Sequence, residues 1–127
     1  MSQQASVTLN TVVYAPAGVN SGIATWINRA SSYYKGYKTL TQTFKDPSNG
    51  GVQTKIGFNL TIPVVATADT DLNHAGDLLR SASFQGSFWC NSGSTAAERT
   101  DLRLSVKDLL LSQLAIDAID NLNPAFG

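Results

Sequence analysis

The sequence predicts an α+β protein: an antiparallel five-stranded sheet, opened by an N-terminal strand or hairpin and followed by two C-terminal helices. Three observations carry this. Period-two alternation recurs in the stretches 39–45, 55–62 and 78–91, each time with one apolar and one polar side. The run Asp46-Pro47-Ser48-Asn49-Gly50-Gly51 is a turn by composition and joins the first two of these stretches as a hairpin. Beyond Thr95 the apolar period lengthens to that of a helix.

Taken in order, residues 6–14 are rich in Val and Thr and read as one strand or a small hairpin, with Pro16, Gly18 and Gly22 punctuating a turn region after it. Residues 23–29 form the next strand. Its Trp26 sits amid apolar neighbours and reads as a core or interface anchor rather than a ligand platform. A polar, Tyr-containing connection covers 30–36. In the 39–45 strand Leu40 and Phe44 oppose Thr39, Thr41, Thr43 and Lys45; in the next, Ile56, Phe58, Leu60 and Ile62 oppose Lys55, Gly57, Asn59 and Thr61. Two adjacent strands written this way belong to an antiparallel sheet covered on one side only. Residues 63–67 end that strand, and 68–77 form a loop. Over 78–91 Ala82, Phe84, Gly86, Phe88 and Cys90 alternate against Ser81, Ser83, Gln85, Ser87 and Trp89.

Thr95 and Glu98 make a capping box, so a helix starts near Ala96. Leu102, Val106, Leu109, Leu110 and Leu114 recur on one face of it, with Arg99, Arg103 and Lys107 on a separate stripe. Ser112 and Gln113 interrupt; Ile116, Ile119 and Leu122 then give a second, shorter apolar stripe that Asn123-Pro124 stops. Both helices need a surface to cover.

At 127 residues, 43% hydrophobic and 14% charged, the chain suits one domain, 1–127, with a β-rich half (1–91) and a helical segment (95–123). No apolar run is long enough to cross a bilayer, and the first residues lack a basic start and an apolar core, so neither a membrane partner nor a signal peptide is expected. The Asn59-Leu60-Thr61 sequon is then incidental. One cysteine, Cys90, excludes an intramolecular disulfide and a cysteine-based zinc cluster and reads as a buried thiol. The net charge is zero but unevenly placed. Residues 1–66 carry five Lys or Arg against Asp46 alone, and residues 67–127 carry four against eight carboxylates. A basic β half permits nucleic-acid binding without demanding it.

Catalysis is not expected, because one His, one Glu and one Cys supply no convergent reactive set, and no nucleophile elbow or phosphate loop is present. The spacing of Asp69, Asp71, Asn73 and Asp77 is superficially that of a calcium loop. However, His74 stands where such a loop needs Gly, and Arg80 where it needs its bidentate Glu. No cofactor or metal is expected. What stands out is a polar face of Thr41, Thr43, Lys45, Lys55, Asn59, Thr61, Ser83, Gln85 and Ser87. Any one-sided sheet is polar outside, and Thr is a good strand former. Hydroxyls and amides on a rigid platform also suit unpaired base edges, with Lys meeting phosphate.

The runs Ser94-Thr95-Ala96-Ala97-Glu98-Arg99 and Ile116 to Phe126, together with Ala15-Pro16 and Gly22 to Trp26, resemble coat proteins of single-stranded RNA bacteriophages of the levivirus type, and the likeness extends from Val12 to Phe126. It implies a homodimer in which the two helices cross onto the partner's sheet and the sheets join edge to edge. It also implies assembly of dimers into an icosahedral shell, with the 68–77 loop at the symmetry axes, location in the virion, and synthesis in the host bacterial cytoplasm. The partner it implies is genomic RNA, or an operator hairpin bound in translational repression. Carried onto this chain, the adenine-pocket positions fall on Ile23, Thr41, Thr43, Gly57 and Asn59, with Lys45 near phosphate and Ser83, Gln85 and Ser87 on the last strand. The family has a longer polar side chain at Gly57, a Lys at Asn59 and a base-stacking Tyr at Ser83. A lost stacking aromatic removes about 1–3 kcal/mol per base, so the family's usual hairpin is expected to bind weakly. The rival reading is a monomeric sheet-plus-helix domain that holds a small ligand between its layers.

Overall fold

The computed structural model describes residues 4–47, 51–70 and 72–124. Ser48, Asn49 and Gly50 of the expected turn, Asp71 of the loop, and Ala125 and Phe126 of the C-terminal run lie outside the described residues. Two units are present, Met1–Trp89 and Cys90–Gly127.

The first unit is built on an antiparallel meander of six strands in sequence order: β1 Val7–Leu9, β2 Val12–Asn20, β3 Ile23–Asn28, β4 Lys38–Lys45, β5 Gln53–Val65 and β6 Leu78–Asn91. Six replaces the expected five because the first segment is a hairpin. Leu9 pairs with Val12 across the two-residue turn Asn10-Thr11, where both residues take positive φ (49° and 64°). Such a turn matches the twist of the strands it joins. The expected turn region after Tyr14 is also corrected. Pro16 and Gly18 lie inside β2, where the register with β3 shifts between them. This bulge accommodates a proline that cannot donate to the ladder, and Gly18 takes φ 120°. The true turn is Ser21-Gly22, between the paired Asn20 and Ile23. Likewise Pro63 does not end β5. The last β4–β5 pair is Thr39–Thr61, so Pro63 sits beyond the point at which β4 asks for an N–H.

The hydrophobic centre of the sheet is Tyr14, Trp26 and Leu40, packed against Val7, Leu9, Val12, Ala24, Phe58 and Leu60. The Trp26 Nε1–H donates to the Ala5 carbonyl (2.8 Å) and Gln4 Nε2 to the Thr25 carbonyl (2.6 Å), which ties the N-terminal segment to β3. Within this unit the apolar face continues beyond the cluster. Val7, Leu9, Trp26, Leu40, Phe58, Leu60 and Phe84 line a hollow of about 380 Å³ on it. Phe58 and Phe88 meet edge to face at 6.4 Å.

In the second unit α1 runs Ala96–Leu111, its Thr95 hydroxyl accepting from the Glu98 N–H (3.2 Å) and Glu98 standing in the first turn, where a carboxylate suits the helix dipole. The expected second helix is shorter and wider than the periodicity suggests. Ser112 ends α1 by donating to the Leu109 carbonyl and caps a new turn by accepting from the Ala115 N–H. That turn, α2 (Gln113–Ala115), runs into a π-helical stretch, Ile116–Asp120. No residue of α1 is buried, and Leu109, Leu110, Leu111, Leu114 and Ile119 are half or more exposed. No described helix is long and apolar enough to cross a membrane.

Candidate nucleic-acid interface

Strand register sets the polar face in rungs, because directly opposed residues of antiparallel strands point to the same side. One rung runs Ile23, Thr43, Gly57; the next runs Thr25, Thr41, Asn59; a third runs Ile27, Thr39, Thr61. At the hairpin end Lys45 pairs with Lys55. Strand β6 continues the first rung, since a Cβ at Gly57 would stand 3.6 Å from the Ser87 Oγ and 3.8 Å from the Thr43 Cβ. The missing side chain therefore leaves a space between two hydroxyl-bearing residues.

That space belongs to a hollow of about 380 Å³ lined by Thr43, Lys55, Gly57, Asn59, Gln85, Gly86 and Ser87. Six of the eleven residues singled out from sequence thus line one concavity. Ile23, Thr41 and Thr61 are on the same face beside it, with Ile23 43% exposed. Lys45 lines a second hollow of about 300 Å³ toward the hairpin end, together with Asp46, Val52, Lys55 and Trp89. Ser83 is exposed on β6 and lines neither. Lys55 borders both hollows. Such a set can donate and accept with base edges through Thr43, Asn59, Gln85 and Ser87, and can meet an anion through Lys45 and Lys55.

Sequence reasoning passed over Thr25, whose rung position follows from the β3–β4 register, and Trp89. Alternation put Trp89 among the polar residues of β6. The structure places its ring beside Lys55, with the Nζ 5.2 Å from the centroid. In the 68–77 loop, Asp69 accepts from the Ala75 N–H and Asp77 from the His74 N–H (2.8 Å each), so both carboxylates cap the loop's own backbone.

The chain matches the levivirus coat protein family over residues 2–126. It belongs to the levivirus coat protein family. It is 32% identical to the capsid protein of Escherichia virus Qbeta over 91% of this chain and 86% of that protein. It is also 32% identical to the capsid protein of Qbeta virus (strain MX1), over 99% and 92%. The virus-like particle of Beihai levi-like virus 21 has the same fold, with a TM-score of 0.88 at 17% identity over 99% of this chain and 100% of that one. The chain is thus a capsid protein of the levivirus type, and its relatives are structural proteins.

Proposed function

We propose that this levivirus coat protein acts as a two-fold dimer. The helices of one copy cover the apolar sheet face of the other, and dimers assemble into an icosahedral shell around single-stranded genomic RNA. The dimer reading is supported by the chain's own burial: Tyr14, Trp26, Leu40, Ala66 and Ala115 are the buried hydrophobic residues among those described, while the leucines of α1 are exposed. Burying a Leu stabilises by about 1.5–3 kcal/mol, so a second copy offering a complementary surface is strongly favoured. Edge-to-edge joining of two sheets would also cover a strand edge that otherwise invites aggregation.

The RNA reading rests on one observation, the concavity in which Thr43, Gly57, Asn59, Gln85 and Ser87 converge beside Lys55. A platform of hydroxyls and amides flanked by ammonium groups suits unpaired bases and the phosphates between them. Thr43 and Asn59 contact base edges, Lys45 and Lys55 meet phosphate, and Ile23, Thr41 and Thr61 frame the site. Recognition of an operator hairpin, and with it translational repression, uses the same face. The protein is made in the host bacterial cytoplasm and ends in the virion. Electron microscopy of the expressed chain, with extraction of nucleic acid from the particles, tests this reading. Closed shells containing host RNA are expected; a soluble monomer that binds a small molecule and forms no particles would favour the rival.

A further inference from the structure

Trp89 is out of place on its face. Its neighbours in the β6 polar row, Ser83, Gln85 and Ser87, carry hydroxyls or an amide, whereas Trp89 presents an indole that is 60% exposed. The chain's other tryptophan, Trp26, is buried and hydrogen-bonded to Ala5. Trp89 lines the hollow at the hairpin end with Lys45, Lys55 and Asp46, two ammonium groups to one carboxylate, and the Lys55 Nζ lies 5.2 Å from its ring centroid. A protein partner is a poor fit, because the cores of such interfaces are depleted in Lys and Asp. An aromatic flanked by cations is the composition of a single-strand platform: the ring stacks on a base of any identity and the cations follow the backbone.

We propose that Trp89 stacks an unpaired base of single-stranded RNA, with Lys45 and Lys55 at the adjoining phosphates. This rests on the RNA reading above and adds a second base site to the polar concavity. Lys55 borders both hollows, so a phosphate held there joins a base in the Thr43–Gly57 hollow to its neighbour on Trp89. The indole also offers a stacking surface on a face where Ser83 has none.

The test uses the full chain in its native assembly state. Its probes are a short mixed-sequence single-stranded RNA, an abasic strand of the same length and charge, and inorganic polyphosphate, at one fixed salt concentration. Base-bearing RNA should quench tryptophan emission in the unmodified protein, and the two baseless probes should not. Trp89→Leu should weaken RNA binding roughly 5- to 150-fold and leave affinity for the abasic strand unchanged, whereas Trp89→Phe should retain most of it. Trp89→Phe, which keeps Trp26 as sole tryptophan, should show no quench of tryptophan emission. Equal RNA affinity of Trp89→Leu and the unmodified chain, or equal quenching by the abasic strand, overturns the stacking role while leaving the RNA reading intact. Dissociation of the oligomer by Trp89→Leu also overturns it, by making Trp89 a protein contact. An unmodified protein that binds RNA no better than polyphosphate overturns base recognition on this face altogether.

Discussion

Lys45 of β4 stands directly opposite Lys55 of β5, so two ammonium-bearing side chains share one rung of the polar face. Like charges so placed oppose the fold by up to about 1 kcal/mol. A polyanion laid across the rung would remove that repulsion, so the proposed RNA contact would give the pair a role that it cannot have in stability.

Lys55→Gln is therefore expected to act in opposite directions on the two properties. Denaturant unfolding should show unchanged or slightly increased stability, by a few tenths of a kcal/mol. RNA affinity should fall, and the slope of log affinity against log salt should shrink by about 0.7, the loss of one phosphate contact to a single strand. An unchanged slope would remove Lys55 from the interface.

Thr43 and Gly57 test the neighbouring hollow. Thr43→Ala should weaken hairpin binding and leave particle yield intact. Gly57→Ala adds a Cβ that meets the Ser87 Oγ at 3.6 Å, the Thr43 Cβ at 3.8 Å and the Gly86 carbonyl oxygen at 3.9 Å, all ordinary contacts. Folding stability should change by no more than about 0.5 kcal/mol, while the hollow narrows and base preference shifts. Filter binding against a hairpin panel reads both; unaltered affinity and preference would exclude these residues from recognition.

Tyr14 links the buried centre to alkaline stability. It is 2% exposed, and burial raises its phenol above the ordinary 10.0. Below pH 10.0 the group is protonated whether the chain is folded or not, and its contribution is intact. As pH rises through 10.0 toward the raised folded value, the unfolded chain releases the proton and the folded chain keeps it, so stability is lost across that window. Urea midpoints measured through the window should fall more steeply for the unmodified protein than for Tyr14→Phe.

Cys90 is the sole cysteine, and the 68–77 loop has none, so the contacts between the proposed dimers are expected to be noncovalent. Particle yield and thermal disassembly are expected to be the same with and without reductant, as light scattering can follow. Particles that fall apart on reduction would contradict this.

Much of this was legible beforehand, and the reasons are local. Strict alternation in β4, β5 and β6 fixes which residues share a face, and the register of Thr43 with Gly57 then follows once the hairpin is closed. The Thr95 cap was readable because one hydroxyl and one N–H three residues on suffice. Pro16 was misread as a turn signal because a bulge, which only the β3 partner reveals, admits it to β2. The Ile116–Asp120 stretch keeps an apolar period yet widens to a π-helix, following the restart that Ser112 imposes. Period alone puts Trp89 on the polar side of β6, but its proximity to Lys55 on another strand, which motivates the stacking proposal, is not legible from β6 by itself.

Sedimentation of the purified, disassembled chain at micromolar concentration tests the central claim most directly, namely that the exposed leucines of α1 and the apolar sheet face are completed by a second copy. The expected result is a folded two-chain species with no folded monomer, consistent with an apolar interface above about 2,000 Å². A stable, folded species of 13.5 kDa would contradict it.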